Sequence, residues 1–493
     1  MDFLQVEGNT VTGANGALTL RGTCVGGWLN MENFIDGFPG CESGIRRVMK
    51  EALGEENSRY FFESLLDNFL SEADIAYIAQ CGAAVIRLPI NYRHFEDDER
   101  PFEYKEEGFK RLNKVFDWCE KYGLYAIIDV HAVPGWQNAH WHSDNESAIS
   151  LFWTHKLFQE RLKKLWQEIA VRYRDRPVVA GYELMNEPIV NTPVGDLPFM
   201  TADHYKPRWS IMNQVYKDLV DAIRTVDKKH IIFLEGDRYG QSFSGLSAPF
   251  AENLVYSCHN YTMAGFGPGE YPGFIKTKGS DEAACNLEYW DRQSQGRLFA
   301  DTEGAVFAKK YGVPLWVGEF GSQYNTGQDD VPYRLAAMDD QLDVFNEWGA
   351  SWTTWTYKDM GVMGWLTVNP ESEYARLVAP IQQKKSELGA ENFVGFHKMP
   401  IGKIKNRELA HTIADIAALA GLDRERFVSG LSLLSLTGFA AACLQPAYCE
   451  RFKKMTKGGI DKVMASFAFE NCLINKPYQD ILIKRFKEKS AGA

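Results

Sequence analysis

Two glutamates in this chain stand where a carboxylate could do chemistry. Glu187 lies in Tyr182-Glu183-Leu184-Met185-Asn186-Glu187-Pro188, just after the apolar run Pro177-Val178-Val179-Ala180-Gly181, and Glu319 lies in Pro314-Leu315-Trp316-Val317-Gly318-Glu319-Phe320-Gly321. Each run is short, apolar and bounded by breakers, the pattern of a buried strand, so each carboxylate falls at a strand's carboxyl end. Pro188 then takes the backbone out of the strand. A carboxylic acid that protonates a leaving oxygen and a carboxylate that attacks, or activates water, are the minimum equipment for cleaving a glycosidic bond. A lone Asn-Glu-Pro is compatible with a surface glutamate, and a lone Glu319 with a structural ion pair; the same design on two strands argues for function.

Other polar side chains occupy the same kind of position. Arg87, inside Val85-Ile86-Arg87-Leu88-Pro89, needs a carboxylate partner if buried, and Glu319 is a natural one. His259-Asn260-Tyr261 puts an imidazole and a phenol on one face of a strand end, where a hydrogen bond to Glu319 would hold it ionised. His131 follows Asp129-Val130, and His140-Trp141-His142 comes soon after. This is the one stretch that would serve a metal hydrolase, but it falls in a loop and no fixed set of further ligands accompanies it. Trp136, Trp141, Trp355 and Trp365 offer flat faces for stacking on sugar rings, although any one of them could equally be core. The glycines of Gly265-Phe266-Gly267-Pro268-Gly269 imitate a phosphate loop, without the flanking strand and helix or the Lys-Ser/Thr that would make it one.

The elements that must position these residues alternate. Strand patterns run over Leu18–Gly26, Ala84–Pro89, Tyr125–Val130, Val179–Asn186, Ile231–Glu235, Leu254–His259, Leu315–Glu319 and Ser351–Thr356, with amphipathic helical patterns such as Phe109–Lys121 and Trp209–Val226 between them. Eight strands alternating with helices predict a (β/α)8 barrel, an α/β fold whose strand ends converge on one face. Arg87, His131, Asn186, Glu187, Glu235, His259, Tyr261, Glu319, Trp355 and Tyr357 all sit near such ends. Two connections, Gly27–Ser71 and Thr262–Thr302, read as enlarged loops walling a cleft.

Beyond about residue 385 the alternation stops, which predicts a catalytic barrel over 1–385 and a mostly helical C-terminal segment over 386–493. Glu408–Ala420 has one apolar helical face, and Phe427–Cys449 carries no charge. Ser, Gly and Pro dilute the latter, so it reads as a buried helix rather than a membrane span. The segment from residue 391 holds 16 Lys+Arg against 10 Asp+Glu, in a chain whose net charge is −11. That overall charge argues against nucleic acid and anionic membrane as partners. With 45% hydrophobic and 24% charged residues the composition is that of a globular protein. Nine cysteines with no CxxC pair, and a start without basic and apolar signal regions, predict a cytoplasmic protein.

Taken in order, Ile86-Arg87-Leu88-Pro89, Asp129-Val130-His131, Asn186-Glu187-Pro188, His259-Asn260-Tyr261, Gly318-Glu319-Phe320-Gly321 and Trp352–Tyr357 resemble the motifs of glycoside hydrolase family 5, over roughly residues 15 to 375. The opening Gly26-Gly27-Trp28-Leu29 is similar to the exo-β-1,3-glucanase and glycolipid-hydrolase side of that family. The resemblance implies a retaining glycosidase that needs no cofactor or metal, with Glu187 as acid/base and Glu319 as nucleophile. Arg87, His131, Asn186, His259 and Tyr261 would form the supporting shell, and Trp355 the floor under the sugar. The expected substrate is a β-glycosidic, foremost β-glucosidic, bond cleaved at a chain end or in a small glycoside. The alternatives are a pentofuranosidase or glycolipid glycosidase on the same fold, a metal-dependent hydrolase, and a non-catalytic sugar-binding barrel.

Overall fold

The computed structural model describes residues 1–190, 207–267, 269–276, 287–390, 408, 411 and 435–488. Eight parallel strands close into a barrel in chain order: β1 (Arg21–Cys24), β2 (Val85–Asn91), β3 (Tyr125–Ala132), β4 (Val179–Glu183), β5 (Ile231–Glu235), β6 (Leu254–His259), β7 (Leu315–Glu319) and β8 (Ser351–Thr354). Trp352 of β8 pairs with Arg21 of β1, which shuts the ring. The (β/α)8 expectation is met. The bounds of β5, β6 and β7 coincide with the sequence pattern. The fourth strand is shorter than its apolar run. Beyond it Leu184 N–H still donates to Phe233 O and Asn186 N–H to Val130 O on the flanking strands, and Glu187 has a left-handed φ of 45°.

The surrounding helices follow their apolar spacing. Glu106–Tyr122 buries Phe109, Leu112, Val115, Phe116 and Cys119 along one face and stops at Gly123, whose φ of 75° ends the helix at no steric cost. Glu72–Cys81 starts at a reciprocal cap between Ser71 and Asp74. The connection after β1, read from sequence as an enlarged loop, is largely helical, with Asn33–Asp36, Glu42–Leu53 and Glu55–Phe69. The connection after β6 includes an antiparallel pair, Gly273–Lys276 with Leu287–Trp290, and the helix Arg292–Ala300.

The described part of the C-terminal segment packs on the barrel. Cys472–Ile474 adds antiparallel to Leu366–Val368. The helix Lys476–Phe486 stacks Phe486 on Trp352 at 5.2 Å between ring centroids, and its Arg485 pairs with Asp339 and Asp343. The helical pattern at Glu408–Ala420 lies outside the described residues except for 408 and 411, and the uncharged stretch is described only from residue 435. Among the described residues no helix is long and apolar enough to cross a membrane, and the cysteines there are free thiols.

Candidate active site

Period-two alternation along each strand decides which side chains enter the barrel mouth. On β2, Arg87 points inward between the ends of its neighbours. Its Nε donates to Glu183 Oε2 at 2.5 Å, Nη1 to Glu319 Oε1 at 2.6 Å and Nη2 to Asn186 Oδ1 at 2.9 Å, with Asp129 Oδ2 also 3.0 Å away. One fully buried guanidinium thus organises strands β2, β3, β4 and β7. The fork geometry of arginine suits it to several carboxylates at once.

Glu319 receives three further cationic or donor groups. Tyr261 Oη donates to its Oε2 at 3.1 Å, His259 Nδ1 stands 3.6 Å from the same oxygen, and His131 Nδ1 is 4.0 Å from Oε1. Burial opposes ionisation, but His259, Arg87 and His131 outweigh it and hold the carboxyl below the usual range. Glu319 is therefore an ionised carboxylate whose side chain is 6% exposed. His131 itself is gripped by Asp129 at 2.7 Å and faces Glu32 Oε1 at 3.3 Å. Against burial, Asp129 above all lifts its pKa to about 10.

Glu187 is oriented from below and from the side. His259 Nδ1 lies 2.7 Å from its Oε1 and His142 Nε2 lies 3.3 Å from its Oε2, while Asn138 Nδ2 donates to its backbone carbonyl at 2.9 Å. Its side chain is 13% exposed, open to a ligand on one side. A carboxylate oxygen of Glu187, one of Glu319 and a His259 ring nitrogen all lie within 4.8 Å of one another. That convergence has the ligand types of a cation site, yet Arg87, Tyr261 and His259 already occupy the carboxylate oxygens.

A cavity of about 270 Å³ opens above this pair. Glu187, Glu319, His131, Tyr261 and Trp355 line it, and Trp355 lies parallel to the His131 ring at 5.4 Å. Phe34, Trp141 and Phe266 supply apolar walls, and Tyr239, bonded to His140, supplies a polar one. Flat apolar faces beside a few convergent polar groups are the ordinary make-up of a saccharide site.

Of the residues predicted from sequence, Glu187, Glu319, His131, Tyr261 and Trp355 line the cavity; Arg87, Asn186 and His259 stand behind them. Trp136 is not among the lining residues. Its φ is left-handed at 60°, and its Nε1 donates to Asp144 O at 2.8 Å. Trp141 lines the wall instead, whereas Trp365 is core, fully buried with Nε1 on Thr354 Oγ1. The histidines of the metal reading are drawn to different partners: His140 to Tyr239, His142 to Glu187, His131 to Asp129. Burial keeps His140 at about 4, a neutral ring. Sequence reasoning assigned no role to Glu32, Glu183 or Tyr239. The signal for Glu183 was present, since it shares a strand face with Gly181 and precedes Asn186 by three residues. Glu32 had only an acid in an apolar stretch, Met31-Glu32-Asn33-Phe34, to announce it.

Comparisons with known proteins give the family and the fold. The family described as Cellulase (glycosyl hydrolase family 5) matches residues 56–361. A β-xylosidase of Phanerodontia chrysosporium is 34% identical over 509 residues and aligns over the whole of both chains. Endoglucanase C of Acetivibrio thermocellus is 26% identical over 340 residues, covering 62% of this chain and 90% of its own. Among solved structures, an endogalactoceramidase superposes with a TM-score of 0.50 at 17% identity, over 73% of this chain and 75% of its own, a likeness of fold.

Proposed function

We propose that this chain, which belongs to glycoside hydrolase family 5 and is an O-glycosyl hydrolase acting on β-glycosidic bonds, works by double displacement with retention and releases one terminal sugar at a time. The observation that carries the mechanism is the pair of carboxylates, one ionised and both within 4.8 Å of the same imidazole. Retaining enzymes hold their carboxyl groups about 5–5.5 Å apart, whereas inverting ones leave about 6.5–9.5 Å for a water. In this reading Glu319 attacks the anomeric carbon as Glu187 gives its proton to the departing oxygen. Water, deprotonated by Glu187, then displaces Glu319 from the glycosyl-enzyme and releases the sugar with its original configuration.

A cavity of about 270 Å³ supports a terminal ring rather than a long chain, since pockets for drug-sized ligands begin at about 300 Å³. The full-length relative named as a β-xylosidase supports a xylosyl unit beside the glucosyl unit expected from sequence. We read residues 1–385 as the catalytic barrel and 386–493 as a C-terminal segment, of which the described part, 435–488, braces the barrel. The free thiols support a reducing, cytoplasmic setting.

The test is a set of 4-nitrophenyl β-glycosides, xyloside, glucoside, galactoside and arabinofuranoside, with product configuration followed by NMR. The β-anomer of xylose or glucose should appear first; initial release of the α-anomer would sink retention, and products longer than one unit that carry a reducing end, released from reduced oligosaccharides, would sink exo action. Glu319→Ala should lose roughly 10⁴-fold or more in kcat and regain activity with azide. Glu187→Ala should keep activity only on substrates with good leaving groups.

A further inference from the structure

Glu235, the last residue of β5, stands between the acid/base and His259 and is 1% exposed. Its Oε2 accepts the backbone N–H of Glu187 at 3.1 Å, and its Oε1 faces His259 Nε2 at 3.5 Å. The second is a charge contact and not a hydrogen bond, and neither Oε1 nor Nε2 has a hydrogen-bond partner, so the imidazole edge and the carboxyl oxygen face each other directly. His259 turns its other nitrogen to Glu187 and Glu319, at 2.7 and 3.6 Å. One carboxyl group therefore reaches Glu187 twice, through its backbone and through the imidazole.

Two further observations point to the same residue. Glu187 has a left-handed φ of 45°, a costly state for a non-glycine residue that persists only where its surroundings fix it. The turn after Glu235 is laced to the segment after Glu187, with Arg238 N–H donating to Pro188 O at 2.8 Å and Val190 N–H to Asp237 Oδ1 at 2.8 Å. Gly240 closes that turn at φ 71°, and a Cβ there would lie 2.7 Å from Glu235 Oε1 and 2.8 Å from His259 N. The absence of a side chain at 240 leaves room for the carboxyl.

We propose that Glu235 is a positioning residue for proton transfer, fixing the backbone of Glu187 and the ring of His259 as one unit so that the acid/base keeps its aim at the leaving oxygen and its distance from Glu319. The inference rests on Glu187 being the acid/base. With Oε1 of Glu187 held by His259 at 2.7 Å, Oε2, which His142 Nε2 faces at 3.3 Å, is the oxygen that gives and takes the proton. Burial pushes the Glu235 carboxyl well above the usual range, opposed by His259 and Arg87 and reinforced by Glu183 and Glu187. Glu235, Glu319 and Glu187 lift His259 to about 10 against its burial. His142 faces Glu187 from the loop side, Tyr216 donates to the Glu235 carbonyl at 2.7 Å, and Cys258 packs beside β5 as a thiol that burial keeps protonated.

The experiment compares 2,4-dinitrophenyl and phenyl β-glycosides of the sugar the enzyme accepts. Glu235→Gln should lose about 10²-fold in kcat on the phenyl substrate and less than about 5-fold on the dinitrophenyl one, with KM unchanged. The basic limb of its pH profile should move. Equal losses on both substrates, or an unmoved profile, would overturn the proposal. If Glu235→Gln fails to fold, Gly240→Ala carries the test, because it leaves the carboxyl in place and displaces it; the same leaving-group dependence supports the proposal and a wild-type profile overturns it. Glu187→Ala, run alongside, separates the two readings: if it too shows no leaving-group dependence, the acid/base assignment fails, and if it alone shows it, only the role of Glu235 fails.

Discussion

Near the amino ends of the barrel strands Val85, Ile127, Ile231, Val255 and Trp316 pack with Leu4 and Val11 into an apolar plug, whereas at the carboxyl ends Arg87, Asp129, Glu183, Glu235, His259 and Glu319 are just as buried and all ionisable. On β2 and β3 the change takes two residues, from Val85 to Arg87 and from Ile127 to Asp129. Burying each plug side chain contributes about 1.5–3 kcal/mol. Burying each rim group costs desolvation, recovered only when it is bonded on every side. The contrast sets where the fold can absorb change: the plug supplies stability without chemistry, and the rim holds chemistry at the expense of stability.

The sharpest way to break that division is to remove the guanidinium that joins four strands. Arg87→Met leaves Asp129, Glu183 and Glu319 without their shared cation, and breaking such a buried group should cost on the order of 3–5 kcal/mol. Because Arg87 helps hold Glu319 below its usual range, the acid limb of kcat/KM should move to higher pH, with activity partly recovered in alkali. Unfolding measurements and a pH profile check the two effects, and a stability loss without displacement of the acid limb would put Arg87 in the same class as the plug. The opposite substitution is Trp316→Ala, which empties a fully buried site beside Phe233. It should cost about 3–5 kcal/mol in urea or thermal unfolding and leave KM and the pH profile in place.

The rim was more legible in the sequence than its supports were. Breakers around short apolar runs mark β5, β6 and β7 at their observed ends, and an ionisable residue closing such a run, as Glu319 does, is visible without a fold. Period-two spacing places Asp129 with His131. What bonds to what depends on strands far apart in the chain: Glu235 was recognisable as a strand end, but its grip on Glu187 and His259 comes from neighbours on both sides. Glu32 was hidden for a different reason. Asp36, in the short helix that follows, accepts the Glu32 N–H locally at 3.0 Å, but the partner that brings Glu32 to the site, His131, comes from a strand about a hundred residues on, and no periodic signal announces it. Trp136 and Trp141 look alike as sequence, and only tertiary contacts tell them apart: Trp136 Nε1 is held by Asp144 O, while Trp141 lines the cavity.

The smallest expected effect tests the division through solvent alone. His131 and His259 are both lifted from 6.5 to about 10, each against its burial, by the carboxylates around it. A group whose folded pKa is raised binds its proton more tightly folded than unfolded. Its contribution is fully present below about 6.5 and is lost as pH rises through about 10, with a ceiling near 1.4 kcal/mol per pH unit for one titrating group. Stability measured between pH 7.5 and 8.5 should therefore fall with pH in the unmodified enzyme. His259→Gln should flatten that slope, because one of the two protons is no longer at stake. Trp316→Ala should run parallel to the unmodified curve, displaced downward by the same amount at each pH, since its loss is of contact and not of charge. A Trp316→Ala curve that flattened as His259→Gln does would mean that plug and rim titrate as one unit, and the division between them would not stand.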